Sequence, residues 1–360
     1  MAKKGEYLPF LNLKAGAGAE QPGEFTRDGA VEKQLEIKPG KKFPEPLNDY
    51  SLAGIATWEL DIWKKLRNSK KAAVSRYLAS IEGQKFAVTA LVSEIAESYY
   101  ELIALDNLLE IINDNIKIQT EALEAVKMQK NSARLTQLAV NRFEAQLLNT
   151  SNKKFEVRQK IVQVENRINF LIGRFNAPIE RNSTNFIDQN IDSVSFGVPV
   201  QLLENRPDIK QAEFELQSAN LEVKSARAKF YPSIGIKAGV GIQAFNPTYL
   251  LHPESILFNF AGDLLAPIVN RKAIKAEYRS ANSRQIQALV DYEQKILNAY
   301  FEVLNQINMI ENLNYSFEMK NHEMELLTQA IAISNNLFIS AKADYTEVLL
   351  TQRDALEART

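Results

Sequence analysis

The sequence predicts an α+β protein built as a tandem repeat, each copy a pair of β-strands followed by a very long coiled-coil helix. Three observations predict it. A set of segments recurs in the same order along the chain, apolar and polar residues alternate ahead of each helix, and an apolar period of seven runs over many turns.

The repeat is read directly. Pro9-Phe10-Leu11-Asn12-Leu13-Lys14-Ala15-Gly16-Ala17-Gly18 aligns with Pro232-Ser233-Ile234-Gly235-Ile236-Lys237-Ala238-Gly239-Val240-Gly241. Lys71-Ala72-Ala73 with Tyr77 aligns with Lys272-Ala273-Ile274 with Tyr278, and Tyr99-Tyr100-Glu101-Leu102 with Tyr300-Phe301-Glu302-Val303.

Strands follow from a period of two. Ile234, Ile236, Ala238, Val240, Ile242 and Ala244 point one way; Ser233, Gly235, Lys237, Gly239, Gly241 and Gln243 point the other. In the first copy Leu11, Leu13, Ala15 and Ala17 oppose Asn12, Lys14, Gly16 and Gly18. Return strands are expected over residues 50–63, carrying Trp58 and Trp63, and 255–268, where Phe258, Phe260 and Leu264 oppose Asn259 and Asp263. Alternation alone leaves two readings open: a half-buried sheet needing a core over its apolar face, or a barrel wall facing lipid.

The helices follow from heptads. Ile95, Leu102, Leu109, Ile116 and Leu123 recur every seven residues, as do Leu289, Ile296, Val303, Ile310, Phe317, Met324, Ile331 and Phe338. Neither stretch contains proline, so each helix is expected to reach about 65 residues, roughly 95 Å, too long for a compact globule. Returning helices are expected over 135–173 and from 345 onward. The boundaries are a first strand pair over 1–66, long and returning helices over 67–173, a linker over 174–204, a helix over 205–231, a second strand pair over 232–268, and a second long helix with the start of its return over 269–360. The turn-rich stretches 20–48 and 246–254 are expected at one rim.

Composition excludes several function classes. With 43 basic and 44 acidic residues, nothing marks a nucleic-acid binder. Cysteine is absent, and the two histidines, His252 and His322, lie far apart without metal-ligand spacing. The Gly16-x-Gly18 and Gly239-x-Gly241 pairs lie on predicted strands with no following Walker lysine, which argues against a phosphate loop. Tyr99, Tyr100, Tyr300 and Phe301 read as packing or headgroup-proximal residues, not as a ligand cage. No catalytic site and no cofactor is expected.

The stretch Val198-Pro199, Leu202-Leu203, Arg206-Pro207-Asp208, Gln211-Ala212-Glu213, Ala226-Arg227-Ala228 and Phe230-Tyr231-Pro232 closely resembles the signature of the TolC family of outer-membrane factors, in particular the branch serving RND-type efflux pumps. Arg206, Pro207, Asp208, Glu213, Tyr231 and Pro232 carry that resemblance. Trp58-Glu59-Leu60-Asp61, Phe170-Leu171-Ile172-Gly173 and Asp344-Tyr345 with Gln352-Arg353 are further family marks. The resemblance covers essentially the whole chain.

The resemblance implies a homotrimer whose twelve strands close a barrel in outer-membrane lipid and continue into an α-helical tunnel across the periplasm. It implies a periplasmic adaptor (membrane fusion protein) and an inner-membrane RND-type transporter as partners. The function would be passive export of small toxic compounds, drugs or metals, with no enzymatic step. Lys14, Lys237, Gln243 and Asn259 would line the pore. The helix tips would form the gate, with Asp344 and Glu347 as candidate acids and Lys342 and Arg134 as their candidate partners. Asp-x-x-Glu is equally a capping box that starts the returning helix, and Leu350 stands where the family often has an acid. Relative to the family, the sequence reads as a fragment without signal peptide or lipid-bearing cysteine, and is expected to form no working pore on its own. The competing reading is a soluble periplasmic coiled-coil structural or adaptor protein.

Overall fold

The structure, a computed structural model, describes residues 5–175, 177–181, 204–269, 271–340 and 342–359. Most of the expected linker over 174–204, with Val198-Pro199 and Leu202-Leu203, lies outside the described residues. Along the chain come β1 (Phe10–Glu20), α1 (Arg27–Glu32), β2 (Glu36–Lys38), β3 (Lys41–Lys42), β4 (Leu47–Leu60), α2 (Lys65–Asn131), α3 (Gln137–Leu171), α4 (Pro207–Ala228), β5 (Ser233–Ala244), β6 (Ile256–Leu265), α5 (Arg271–Ile339) and α6 (Tyr345–Arg359). They divide into two units, Met1–Gly83 with Asn205–Ile296, and Gln84–Glu204 with Leu297–Thr360. The two long helices contribute to both.

In the first unit the strands form one antiparallel sheet in the order β1-β4-β5-β6. Its register keeps each face continuous across all four strands. Leu11 lies opposite Ala56 and Ala15 opposite Leu52. Leu52 lies opposite Ile242 and Trp58 opposite Ile236. Val240 lies opposite Phe258 and Ala238 opposite Phe260. A one-residue slip would invert every one of these side chains. This face is largely open: Leu11 is 81% and Phe258 83% exposed, and of its β5 residues only Ala244, at the end of the strand, is buried. The reading as a half-buried sheet over its own core is therefore corrected.

Small residues set the packing beneath the sheet. Ala72 and Ala79 of α2 and Ala212, Ala219 and Ala226 of α4 are all buried. With no bulk between the backbones, the Ser218 and Ser225 hydroxyls donate to the carbonyls of Ala72 and Lys65, each at 3.0 Å. Gln285 of α5 donates to Asn220 of α4 at 2.6 Å.

In the second unit the first heptad seam meets its cover. Leu102, Leu105 and Ile112 of α2 pack on Val157, Ile161, Val164 and Ile168 of α3, with Leu109 and Ile116 at the margin. A second cluster joins Leu123, Val126, Ala139, Val140 and Phe143. The second seam differs: Ile310 and Phe317 of α5 stay exposed, because α6 returns along only the last turns of that helix. Arg181 ties the segment after α3 back to the hairpin, bonded to Asp106 and, at 2.6 Å, to Glu165.

Two sequence expectations need correction. The first return strand ends at Leu60, so Trp63 is not a strand residue. Its indole instead stacks on Tyr231, centroids 4.6 Å apart, and donates to the Pro232 carbonyl at 2.8 Å. The stretch 20–48 is not plain loop; it holds α1, capped by the Thr26 hydroxyl on the Gly29 amide, and the β2–β3 ribbon.

Candidate functional site

The sheet's second face carries the polar residues. Lys14 lies opposite Ala53, which lies opposite Gly241; Lys237 lies between Thr57 and Ala261; Gln243 lies opposite Ser51, and Asn259 opposite Gly239. All four predicted pore-lining residues therefore share one face. Two have acidic neighbours: Lys237 Nζ lies 3.2 Å from Asp263 Oδ2, and Gln243 Nε2 donates to Asp49 Oδ1 at 2.8 Å. Asp49 escaped the sequence reading because its partner is set by long-range register; parity along β4 was the available signal. One glycine on this face is required by close approach: a Cβ on Gly241 would come within 2.6 Å of the Leu52 carbonyl oxygen, whereas one on Gly239 would meet only the movable end of the Asn259 side chain. The face is not wholly polar, since its parity also includes Ile55 and Leu257.

The two helical turns repeat each other. After α2, the Arg134 amide donates to the Gln129 carbonyl at 3.0 Å; after α5, the Lys342 amide donates to Leu337 at 2.9 Å. Both are the six-to-one bonds that close a helix C-terminus. Ala133 takes the left-handed conformation there, φ 58°. Arg134 and Lys342 thus hold equivalent places, one residue beyond each turn. Tyr345 and Leu349 of α6 pack on the Leu123–Phe143 cluster, which brings the two turns together.

Asp344 serves its own helix. Its Oδ1 accepts from the Tyr345 amide at 2.7 Å, and its Oδ2 lies 3.4 Å from the Thr346 hydroxyl. Glu347 lies in the first turn of α6, where the helix dipole favours an acid, and is exposed like Asp344. The Asp344 side chain thus bonds the start of its own helix, but the Glu347 amide donates to the Asp344 carbonyl at 3.2 Å, so the reciprocal side-chain bonds of a capping box are not made among the described residues.

The signature residues build a junction. Pro207 occupies the first turn of α4, where its missing N–H costs nothing. Arg206 Nε and Nη2 donate to Asp208 Oδ1 and Oδ2 at 3.0 and 2.9 Å. Burial pushes the Asp208 carboxyl up, but the Arg206 hydrogen bonds and charge outweigh it and hold it below the usual carboxylate range. Glu213 is exposed on α4. Tyr231 and Pro232 take Trp63, so the helix-to-strand corner of one repeat meets the strand-to-helix corner of the other. Asp61 closes that corner by accepting from the Leu66 and Arg67 amides at 2.9 and 2.8 Å. Tyr99 and Tyr100, and likewise Tyr300 and Phe301, meet edge to face, and Tyr99 packs on the hairpin core.

The model of the family described as "Outer membrane efflux protein" matches residues 2–174 and 198–360. The chain belongs to the outer membrane efflux protein family. Over 311 residues it is 27% identical to the cation efflux system protein CusC of Escherichia coli O6:H1, covering 86% of this chain and 68% of that protein. Over 315 residues it is 26% identical to the probable outer membrane lipoprotein SilC of Salmonella typhimurium, covering 87% and 68%. The fold matches a solved CusC structure with a TM-score of 0.87 at 24% identity, over 99% of this chain and 80% of that one. It matches VceC of Vibrio cholerae with a TM-score of 0.85 at 19% identity, over 99% and 83%. This family member is an outer-membrane efflux channel subunit and not an enzyme. The soluble adaptor reading is set aside.

Proposed function

We propose that the chain is one protomer of a homotrimeric passive duct, in which three four-stranded sheets close a twelve-stranded barrel that continues into a helical tunnel. The observation that carries this reading is the sheet itself. Its apolar face is largely open, and β1 and β6 each end the strand order with one edge unpaired among the described residues. An open edge is not tolerated in lipid, because every unpaired backbone group there costs several kcal/mol. Copies joined β6 to β1 remove both edges at once. The opposite face then lines a wet lumen, where Lys14, Lys237, Gln243 and Asn259 meet the cargo.

The exposed seam of α5 supports the same assembly, since Ile310 and Phe317 need a neighbouring helix to cover them. The turns near Arg134 and Lys342 form the narrow periplasmic end, with Asp344 and Glu347 presenting carboxylates that favour cations. A periplasmic adaptor and an inner-membrane RND-type transporter deliver small toxic compounds, drugs or metal ions, and supply the energy.

The absence of cysteine from these 360 residues makes the assembly testable. A chain carrying both Asn12→Cys on β1 and Ala261→Cys on β6, two positions on the same sheet face, cross-linked by a short bifunctional maleimide after insertion into bilayers, is expected to give covalent dimers and trimers. Monomer alone, with no cross-linked species, would refute the closed-barrel reading.

A further inference from the structure

The two strand-to-helix corners share a pattern that pore formation does not use. At the first, Ile62 and Trp63 are followed by Lys64 and Lys65; at the second, Ile268 and Val269 are followed, after Asn270, by Arg271 and Lys272. The apolar pairs face solvent in the single chain: Ile62 is 51%, Ile268 82% and Val269 94% exposed. Trp63 and Tyr231 stack beside them, each with an apolar body and a polar tip.

The charge here is lopsided. Residues 61–71, 224–232 and 266–279 hold twelve basic and two acidic side chains. At the opposite end of the sheet, residues 20–48 and 245–255 hold five basic and seven acidic. Neither long helix has an acid in its first turn, whereas α4 and α6 carry Asp208 and Glu347 there. Cations crowd both helix starts although the dipole favours anions there, and only at α2 does a carboxylate, that of Asp61, take the first amides. Lys65 and Arg67 are paired to Glu59 and Asp61, but Lys64, Arg271, Lys272 and Lys275 are exposed and have no ion pair among the described residues.

We propose that these corners bind the anionic phospholipid headgroups of the leaflet on the helix side of the bilayer. Ile62, Trp63, Ile268 and Val269 enter the acyl boundary, and Lys64, Arg271, Lys272 and Lys275 take the phosphates. The occupant follows from charge complementarity and from continuity with the apolar sheet face, which leads into these corners. Exposed apolar residues followed at once by cations are the chemistry of a bilayer interface, not of a water-filled lumen. The inference rests on the reading of the sheet as membrane-inserted.

The test reconstitutes the full chain into vesicles of phosphatidylcholine alone, or with about a third phosphatidylglycerol, and measures the floated fraction against salt. Each cation near an anionic surface contributes roughly fivefold to partitioning, so Arg271→Gln/Lys272→Gln/Lys275→Gln is expected to weaken association with anionic vesicles on the order of a hundredfold. Association with neutral vesicles is expected to stay unchanged, and Arg271→Lys/Lys272→Arg/Lys275→Arg to behave as wild type. Equal flotation of wild type with both vesicle types, or an equal loss by the glutamine variant on both, overturns the headgroup site while leaving the inserted sheet standing. No flotation with either overturns the inserted sheet and the headgroup site with it.

Discussion

Asp208→Ala tests how the family signature works. The carboxylate is 8% exposed and its Arg206 partner 22%, joined by two bonds of 3.0 and 2.9 Å. Two charge-assisted hydrogen bonds would be lost, a guanidinium left partly buried, and the first turn of α4 would lose an acid that suits its dipole. Breaking a buried pair from one side costs about 3–5 kcal/mol, and the residual exposure of Arg206 places this one near 3 kcal/mol. Asp208→Asn, which keeps an acceptor but no charge, is expected to cost roughly half as much. The assay is denaturant unfolding in detergent micelles, followed by far-ultraviolet circular dichroism. A cycle with Arg206→Gln isolates the pair.

The pH dependence has a definite sign. Asp208 titrates lower in the folded chain than in the unfolded one, so its contribution is complete above the unfolded value of about 4 and is lost as pH falls through the folded value. The gap between wild type and variant therefore stays constant from about pH 8 to about pH 6 and narrows only in acid. The exposed Lys127–Glu124 pair supplies a control, since Glu124→Ala is expected to leave the unfolding midpoint unchanged. An Asp208→Ala variant as stable as the Glu124→Ala control, or a gap closing above pH 6, would refute the clamp.

Two further outcomes follow from the sheet and the tip. Gly241→Val places a branched side chain where a Cβ already meets the Leu52 carbonyl at 2.6 Å, so β4 and β5 must separate. A cost of at least about 1–3 kcal/mol is expected, read as lowered resistance of the folded barrel to heating in detergent. Asp344→Ala removes the cap on the Tyr345 amide and is expected to destabilise α6 by about 1 kcal/mol, seen as faster proteolysis at the second turn. If Asp344 and Glu347 also gate, the double alanine variant of the reassembled trimer conducts more and is blocked less by divalent cations. Unchanged conductance and block would leave Asp344 a cap alone.

The local periods were legible and the long-range partners were not. Alternation through Ile234–Ala244 fixed the two faces of β5, and heptads through Ile95–Leu123 fixed the seam that α3 covers. The Asp-x-x-Glu spacing pointed to a capping box, of which the described residues make only the bond from the Tyr345 amide to the Asp344 carboxylate. Trp63 misled because an aromatic after Trp58 fits strand propensity, while the ring that claims it, Tyr231, is far away in sequence. For the same reason the Asp49–Gln243 bond and the Arg181 bridge to Asp106 and Glu165 had no local signal. The period along α5 foretold a long helix, while its seam stays open, with Leu289, Ile310 and Phe317 exposed among the described residues.

Trp58 offers the most direct view of the sheet's orientation. It lies on the apolar face of β4, opposite Ile236, and Trp63→Phe leaves it as the sole tryptophan. In vesicles made with lipids brominated along their acyl chains, its fluorescence is predicted to be strongly quenched and to resist aqueous iodide. Quenching by iodide with no response to bromine would place that face in water and contradict the membrane-inserted sheet.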